Sequence, residues 1–390
     1  MRTPHDSAPG GRRAFLRILA AAAATAALPL SVKAVPLPRP CPDSWREWSS
    51  FVQRNIDESG RVIDFFNADL RSTSESQSYG LFFALVANDQ VLFGRILAWT
   101  RQNLSAGRAD INLPAWLWGK AADGSWRVLD PNTASDGELW IAYALLEAGR
   151  LWNRPGFTAA GKDILALMRK AEIVDLPGFG TMLLPGVQGF VKEERWTLNP
   201  SYLPLFVLRR FAMVDAKGPW RRLIERSVVL MEQSAPNGFA PDWVAWNGRA
   251  FVADPDKGST GSYDAIRCYL WAGMIHPADP LRARMLQALS GPLSMLRAQG
   301  HLAEKVDVKQ GVGTGTAPVG FSAALLPYLS AAGEPTLLRN ELARIPADAD
   351  LNYYDRVLIL YGKGWHDGRY RFSADGRLQP AWSTACSANA

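Results

Sequence analysis

Residues 72–85 read STSESQSYGLFFAL and pass directly from a polar run into an apolar helix pattern that begins just after Glu75. Two later stretches repeat this arrangement: residues 136–146 read DGELWIAYALL, with Asp136 first, and residues 263–271 read YDAIRCYLW, with Asp264 second. If these apolar helices run parallel, the three carboxylates at their amino-terminal ends lie close together at one end of the fold. A carboxylic acid facing a carboxylate across a gap is the requirement for hydrolysing a glycosidic bond.

Apolar periodicity and helix breakers predict twelve helical segments in all. They cover about 43–56, 74–87, 89–104, 136–150, 156–172, 199–213, 218–234, 262–275, 280–298, 317–331, 334–346 and 351–362. Every second segment, starting with 74–87, is apolar nearly all round, as buried helices are, while the others carry a charged side. This alternation predicts an all-α fold, an (α/α)6 barrel of six inner and six outer helices, with every inner amino terminus at one rim.

Two short stretches predict small β-hairpins over that rim, residues 182–191 (MLLPGVQGFV) and residues 246–252 (WNGRAFV). No Ser-, Thr- or Pro-rich linker divides the chain after the amino-terminal segment. We therefore expect residues 35–390 to form a single domain.

The amino-terminal segment has the features of an export signal. Arg12 and Arg13 precede an Ala-rich apolar run that extends to Leu30, followed by a small-x-small cleavage pattern ending at Ala34. The paired arginines favour a twin-arginine signal over residues 1–34, and an ordinary secretory signal is the alternative. The run is too short for a membrane span. Both readings predict a periplasmic or secreted protein without stable membrane insertion after cleavage.

Charge and cysteine content exclude several other classes. The formal net charge of +6 falls to about +2 without residues 1–34, and no basic face remains for nucleic acid. Cys268 lies in an apolar helix pattern and is predicted to be a buried free thiol. Export permits a disulfide between Cys41 and Cys386, which spacing alone leaves open. The four histidines are scattered without metal-ligand spacing, so no metal and no cofactor are expected.

Each candidate residue also has a purely structural interpretation. Ser72 and Glu75 have capping-box spacing, and Asp136 and Asp264 can simply complement the positive ends of their helices. Arg267 stands three residues after Asp264, on the same helical face, and either orients that carboxylate or forms a surface ion pair.

Aromatic residues at the proposed rim suggest a sugar-binding cleft. Tyr202 begins a predicted inner helix, and Trp116, Trp118 and Trp243 lie outside the predicted helices. Aromatic faces pack on the apolar faces of pyranose rings, so these four are candidate substrate-binding residues, as is Arg267. The alternative is that the tryptophan rings are core residues.

At these residues the chain resembles glycoside hydrolase family 8. Residues 134–152 read ASDGELWIAYALLEAGRLW and resemble the family signature, with Glu138 standing where the signature has Asp at a position expected to be peripheral. Six further segments match the family pattern: 73–80 (TSESQSYG), 116–120 (WLWGK), 199–204 (NPSYLP), 241–243 (PDW), 262–267 (SYDAIR) and 318–324 (PVGFSAA). The resemblance is greatest to members that act in the periplasm alongside bacterial cellulose synthase.

The resemblance implies an (α/α)6 fold and an inverting endo-β-1,4-glucanase that acts on a β-1,4-glucan chain. It further implies that Glu75 is the general acid, Asp264 the general base, and Asp136 the residue that holds the sugar at the cleaved subsite. A functional association with the cellulose synthase complex is implied as well. Relatives in this family cleave xylan, chitosan or mixed-linkage glucan, and a non-catalytic glucan-binding subunit of an export machinery is a further alternative.

Overall fold

The computed structural model describes residues 45–347 and 350–383. The predicted export signal, Cys41 and Cys386 lie outside these ranges. Within them the chain is mainly helical, as predicted, with α-helices α1 to α13 in chain order. They span Arg46–Asn55, Ser74–Val86, Gln90–Leu104, Ser135–Leu151, Pro155–Ala171, Leu205–Val214, Trp220–Ser234, Ala265–Met274, Arg282–Ala288, Gly291–Gln299, Val319–Ala331, Pro335–Ala343 and Tyr353–His366.

Two kinds of helix alternate along the chain. The helices α2, α4, α6, α8, α11 and α13 are buried on nearly every side, whereas those between them bury only one face. One predicted segment, 280–298, is two helices in the structure, α9 and α10. The break falls at Leu289 and Ser290, just before Gly291 and Pro292, because proline lacks the amide hydrogen that a continuous helix would need there.

The six buried helices contact one another in sequence order, from α2 to α4, α6, α8, α11 and α13. The last of them returns to the first. The ring of Tyr361 on α13 lies 5.5 Å from Tyr79, 5.5 Å from Phe82 and 4.6 Å from Phe83 on α2, measured between ring centroids. The buried helices therefore form a closed set of neighbours around an aromatic core.

Fourteen short strands, β1 to β14, form five antiparallel sheets within the described residues. They span Ser72–Thr73, Leu117–Lys120, Trp126–Asp130, Ile173–Leu176, Gly180–Leu183, Val191–Lys192, Arg195–Leu198, Val244–Trp246, Phe251–Ala253, Thr260–Gly261, Lys305–Asp307, Val312–Thr314, Tyr370–Phe372 and Leu378–Pro380. The predicted hairpin at 246–252 is confirmed, since β8 pairs with β9 around Gly248.

The hairpin predicted at 182–191 is wrong. The chain turns earlier, at Pro177 and Gly178, where Gly178 has a φ of +71°, and β4 pairs with β5 across that turn. Residues 184–190 then form a loop that packs against the segment before α4, where Ser135 donates its amide hydrogen to the Pro185 carbonyl at 2.9 Å. No helix in the described ranges is both long enough and apolar enough to cross a membrane.

Candidate active site

Glu75 lies in the first turn of α2, which begins directly after β1. Thr73 is the N-cap, and its hydroxyl accepts the Ser76 amide at 3.1 Å while the Ser76 hydroxyl accepts the Thr73 amide at 2.9 Å. The capping box therefore involves Thr73 and Ser76, and the predicted box of Ser72 and Glu75 is wrong. Ser72 instead donates its hydroxyl to the Val62 carbonyl at 2.6 Å. The Glu75 carboxyl group is thus not a member of the capping box.

The Glu75 carboxyl group contacts only uncharged donors within hydrogen-bond distance. The indole nitrogen of Trp116 donates to Oε1 at 3.2 Å, and the Ser74 hydroxyl donates to Oε2 at 3.3 Å. Burial raises the pKa of Glu75, against the smaller opposing effects of backbone hydrogen bonding and of the Arg267 charge. A raised pKa favours the protonated form, which a general acid must carry.

Arg267 joins the other two predicted carboxylates. Its Nη1 donates to Asp136 Oδ2 at 2.9 Å and its Nη2 donates to Asp264 Oδ1 at 2.6 Å. Tyr79 and Ser201 accept two further bonds, at 2.8 and 2.9 Å. Only 8% of Arg267 is exposed, so the alternative of a surface ion pair is wrong. The predicted contact with Asp264 is confirmed, and the guanidinium also brings α4 and α8 together.

Asp136 and Asp264 differ in their access to water. The Asp136 side chain is 4% exposed, whereas the Asp264 side chain is 29% exposed. Burial and then the nearby Glu75 charge raise the pKa of Asp136 well above its usual range, against the attraction of Arg267. Asp136 Oδ1 has no hydrogen-bond partner among the described residues. The site thus holds one enclosed carboxyl group, that of Asp136, and two part-exposed ones, those of Glu75 and Asp264.

Two of the aromatic candidates lie near the acidic cluster. Tyr202 belongs to the short 3-10 helix Pro200–Tyr202, and the Arg267 guanidinium carbon lies 5.5 Å from its ring centroid. Trp243 meets the Tyr202 ring edge-on at 6.2 Å, and Lys257 Nζ stands 4.1 Å from the Trp243 centroid. Phe190 lies parallel to Trp243 at 6.0 Å. These rings form a wall beside the arginine.

Trp116 directly precedes β2 and Trp118 lies within it, and the two side chains have different surroundings. Trp116 bonds Glu75, as described, and is partly exposed. Trp118 stacks on Trp126 at 5.2 Å, meets Trp99 edge-on at 5.3 Å, and has the Arg61 guanidinium carbon 4.4 Å from its centroid. Trp118 therefore belongs to an aromatic cluster, and these three neighbours of its ring do not include the three carboxyl groups.

Two buried glutamates near the site, Glu138 and Glu172, were not predicted as functional residues. Glu138, expected to be peripheral, is fully buried, and burial followed by the Glu172 charge raises its pKa well above the usual range. Burial raises the pKa of Glu172 to about 8, and its Oε1 accepts the Thr133 hydroxyl at 2.7 Å. Each glutamate has one buried carboxyl oxygen, Oε2, without a hydrogen-bond partner among the described residues. The sequence gives one signal, that Glu138 is the only charged residue between Asp136 and Glu147 in α4.

Asp242 also escaped notice, although it lies between the quoted Pro241 and Trp243. Its Oδ1 accepts backbone amides from Ser262 at 2.8 Å, Asp264 at 3.0 Å and Ala265 at 2.8 Å. Cys268, four residues after Asp264, is buried and unbonded to another cysteine, as predicted.

Carboxyl groups in such contrasting surroundings, beside a wall of aromatic rings, are the groups that a glycoside hydrolase uses. Comparison with known proteins agrees. Residues 27–368 match the model of glycosyl hydrolases family 8. The chain belongs to this family.

Relatives and solved structures extend the match over most of the chain. An endoglucanase of Xanthomonas axonopodis pv. citri is 60% identical over 97% of this chain and 99% of the relative. An endoglucanase of Escherichia coli O157:H7 is 44% identical over 88% of this chain and 93% of the relative. The crystal structure of an endo-1,4-D-glucanase from Vibrio fischeri ES114 has 41% identity and a TM-score of 0.80, covering 87% of this chain and 99% of that one.

Proposed function

We propose that the protein is an inverting endo-β-1,4-glucanase that hydrolyses internal bonds of cellulose or a soluble β-glucan. The observation that carries the proposal is the contrast between two carboxyl groups. Glu75 bonds only neutral donors and burial raises its pKa, whereas Asp264 is paired with the Arg267 guanidinium. The activity named for the similar proteins of Xanthomonas, Escherichia and Vibrio supports the choice of substrate.

In the proposed mechanism, protonated Glu75 donates to the glycosidic oxygen as the bond to the leaving sugar breaks. Asp264 removes a proton from a water molecule that attacks the anomeric carbon from the opposite face. Arg267 holds Asp264 in place through the 2.6 Å bond. The attack inverts the anomeric centre, so cleavage of a β-linkage yields the α-anomer first.

Asp136 is proposed to hold the sugar at the cleaved subsite. Arg267 fixes its Oδ2, and Oδ1 has no partner in the described chain, which leaves an acceptor for a sugar hydroxyl. Hydrogen bonds to that hydroxyl that strengthen as the ring approaches the oxocarbenium geometry stabilise the transition state by several kcal/mol in such enzymes. Tyr202 and Trp243 extend the apolar wall for the neighbouring sugar rings.

We further propose that the helices form the (α/α)6 barrel expected from the sequence. The closed contacts of the six buried helices and their alternation with one-sided helices support this architecture. Glu75, Asp136 and Asp264 all stand at amino-terminal helix ends, and Arg267 brings the last two together. That placement is consistent with inner helices whose amino termini share one rim.

Export and a role beside cellulose synthase complete the proposal. The paired arginines and the apolar run of residues 1–34 support export to the periplasm. A periplasmic endoglucanase would meet the glucan chain as it leaves a synthase in the inner membrane. Deleting the gene in a cellulose-producing host and measuring the length and yield of the exported glucan tests this association.

The activity is tested with purified protein on carboxymethylcellulose, xylan, chitosan and mixed-linkage glucan in parallel. We expect a rapid fall in carboxymethylcellulose viscosity with few reducing ends released, which indicates internal cleavage. Proton NMR of early products is expected to show the α-anomer. A preference for one of the other three polymers would replace the proposed substrate, and an initial β-anomer would refute inversion.

Variants Glu75→Gln and Asp264→Asn test the assigned roles. Loss of a general acid or base is expected to lower turnover by roughly 10²–10⁴-fold while the fold is retained. Asp110→Asn, at an exposed carboxylate paired with Arg108, is the matched control and should keep wild-type turnover. Near-wild-type turnover in Glu75→Gln or Asp264→Asn would overturn the role of that residue, and activity on no polymer would favour a non-catalytic glucan-binding protein.

A further inference from the structure

The amino terminus of α8 is capped by a residue from another part of the chain. The first amides of a helix have no partner within the helix, and an aspartate at the N-cap commonly accepts one of them. Asp264 occupies the N-cap position, but its side chain accepts no amide of its own helix. Asp242, 22 residues earlier, accepts the Asp264 and Ala265 amides, and its Oδ1 also accepts the Ser262 amide.

We infer that Asp242 is a positioning residue for the proposed base, because it takes over helix capping and leaves the Asp264 carboxylate free for Arg267 and water. This inference rests on the proposed function, in which Asp264 activates the water. The assignment follows from a competition between acceptors. Without Asp242, the Asp264 and Ala265 amides lose their acceptor, and we expect the Asp264 carboxylate, which is adjacent to them in the chain, to turn toward them.

The surroundings of Asp242 make its position rigid. Its own amide donates to the Thr260 carbonyl at 2.8 Å, so the segment is fixed to β10. Burial and then the Asp264 charge raise the pKa of Asp242 to about 6, against the lowering effect of its three amide donors. The next residue, Trp243, belongs to the aromatic wall at Tyr202. Asp242 therefore connects that wall to the amino terminus of the helix that carries Asp264 and Arg267.

Removing the acceptor should impair chemistry more than binding. In Asp242→Ala, the Asp264 carboxylate turns toward the freed amides and away from the water, and kcat is expected to fall by roughly 10- to 100-fold, since misplacement by about 1 Å has effects of that size. KM for soluble β-glucan should change by less than about threefold, because no sugar contact is removed. Asp242→Asn keeps a side-chain carbonyl oxygen for the amides and should retain most of kcat.

A cap on a distant helix provides the control. Asp89 Oδ1 accepts the Leu92 amide at 2.9 Å at the start of α3, so Asp89→Ala also removes a helix cap. We expect Asp89→Ala to lower the melting temperature and leave kcat unchanged. If Asp242→Ala changes only the melting temperature in the same way, the positioning role is refuted.

A double-variant cycle separates this inference from the proposed function. If Asp242 acts through Asp264, adding Asp242→Ala to Asp264→Asn should lower kcat no further. Full additivity of the two losses would refute the positioning role, as would a kcat loss in Asp242→Asn equal to that in Asp242→Ala. Wild-type turnover in Asp264→Asn alone would instead overturn the assignment of the base. If Asp242→Ala does not fold, Asp242→Ser, whose shorter side chain withdraws the acceptor from the three amides, replaces it in each of these comparisons.

Discussion

Replacement of Arg267 by methionine tests whether the buried cation stabilises the fold as well as the site. Met fills much of the same volume but leaves Asp136, whose side chain is 4% exposed, without its cation. Breaking a buried ion pair on one side costs roughly 3–5 kcal/mol, because the remaining charge stays desolvated. The more exposed Asp264 can recover hydrogen bonds to water and should add less.

The loss of stability should depend on pH in a defined direction. Burial already raises the pKa of Asp136 above its unfolded value, and loss of the Arg267 charge raises it further. At low pH Asp136 is protonated in both the folded and unfolded states, and the cost is small. As pH rises, the unfolded state ionises first, and folding loses up to about 1.4 kcal/mol for each unit by which the two pKa values differ.

Urea unfolding at pH 5 and pH 8 measures this loss, with Arg284→Met as the control. Arg284 pairs with Glu232 at 2.8 Å, but the two side chains are 45% and 35% exposed, so this pair is worth at most about 1 kcal/mol. The double variant Arg267→Met with Asp136→Asn should recover part of the loss, because no buried charge remains. An Arg267→Met variant no less stable than Arg284→Met at pH 8, or equally affected at both pH values, would refute the reasoning.

Three further changes have expected outcomes. Gly137→Ala places a Cβ 2.5 Å from the Ser74 hydroxyl and 3.0 Å from the Glu75 amide, so turnover should fall at least tenfold. The control is Gly94→Ala, which has open space around its Cβ and should leave turnover intact. Unchanged turnover in both would show that this close approach does not position the acid. Glu172→Gln should raise the melting temperature relative to wild type, by more at pH 8 than at pH 5. The pKa of Glu172 is about 8 in the folded protein against 4.5 for the free group, so the wild-type carboxyl group destabilises the fold increasingly as pH rises between those values. Calorimetry that finds the same difference in melting temperature at both pH values would contradict this. Trp243→Ala should weaken cellopentaose binding by calorimetric titration, and unchanged affinity with a collapsed melting temperature would identify Trp243 as packing alone.

The sequence predicted the helices well where burial dominates. The buried helices are apolar on every side, and that composition is visible without knowledge of their neighbours. The turn between β4 and β5 was misplaced for a physical reason. The chain contains two nearby Pro-Gly pairs, and only Gly178 adopts a positive φ in a tight turn. Gly186 instead permits close packing, since a Cβ there would lie 2.3 Å from the Thr133 carbonyl oxygen.

In the candidate site, features that depend on neighbouring residues in the sequence were predicted, and features that depend on distant segments were not. Carboxylates at helix starts are a local pattern, and Arg267 follows Asp264 at a spacing that predicts their contact. The cap at α2 was misassigned because five hydroxyl residues lie between 72 and 78, and the end of β1 decides that Thr73 is the N-cap. The role of Asp242 depends on amides in a segment distant in sequence, and the pKa of Glu138 depends on Glu172, which follows α5. Local spacing carries no information about either.

The return of α13 to α2 has a consequence for how the chain acquires its structure. Tyr361 covers Phe82 and Phe83, and the Trp382 indole donates to the Leu85 carbonyl, 297 residues away in sequence, at 3.2 Å. Contacts of such high sequence separation form slowly, because a long loop must close before they contribute. A nascent chain that ends before Tyr353 keeps the rings of α2 exposed to solvent and to aggregation. We therefore expect carboxy-terminal truncations to prevent folding outright. We also expect the contacts between α13 and α2 to form only after synthesis is complete.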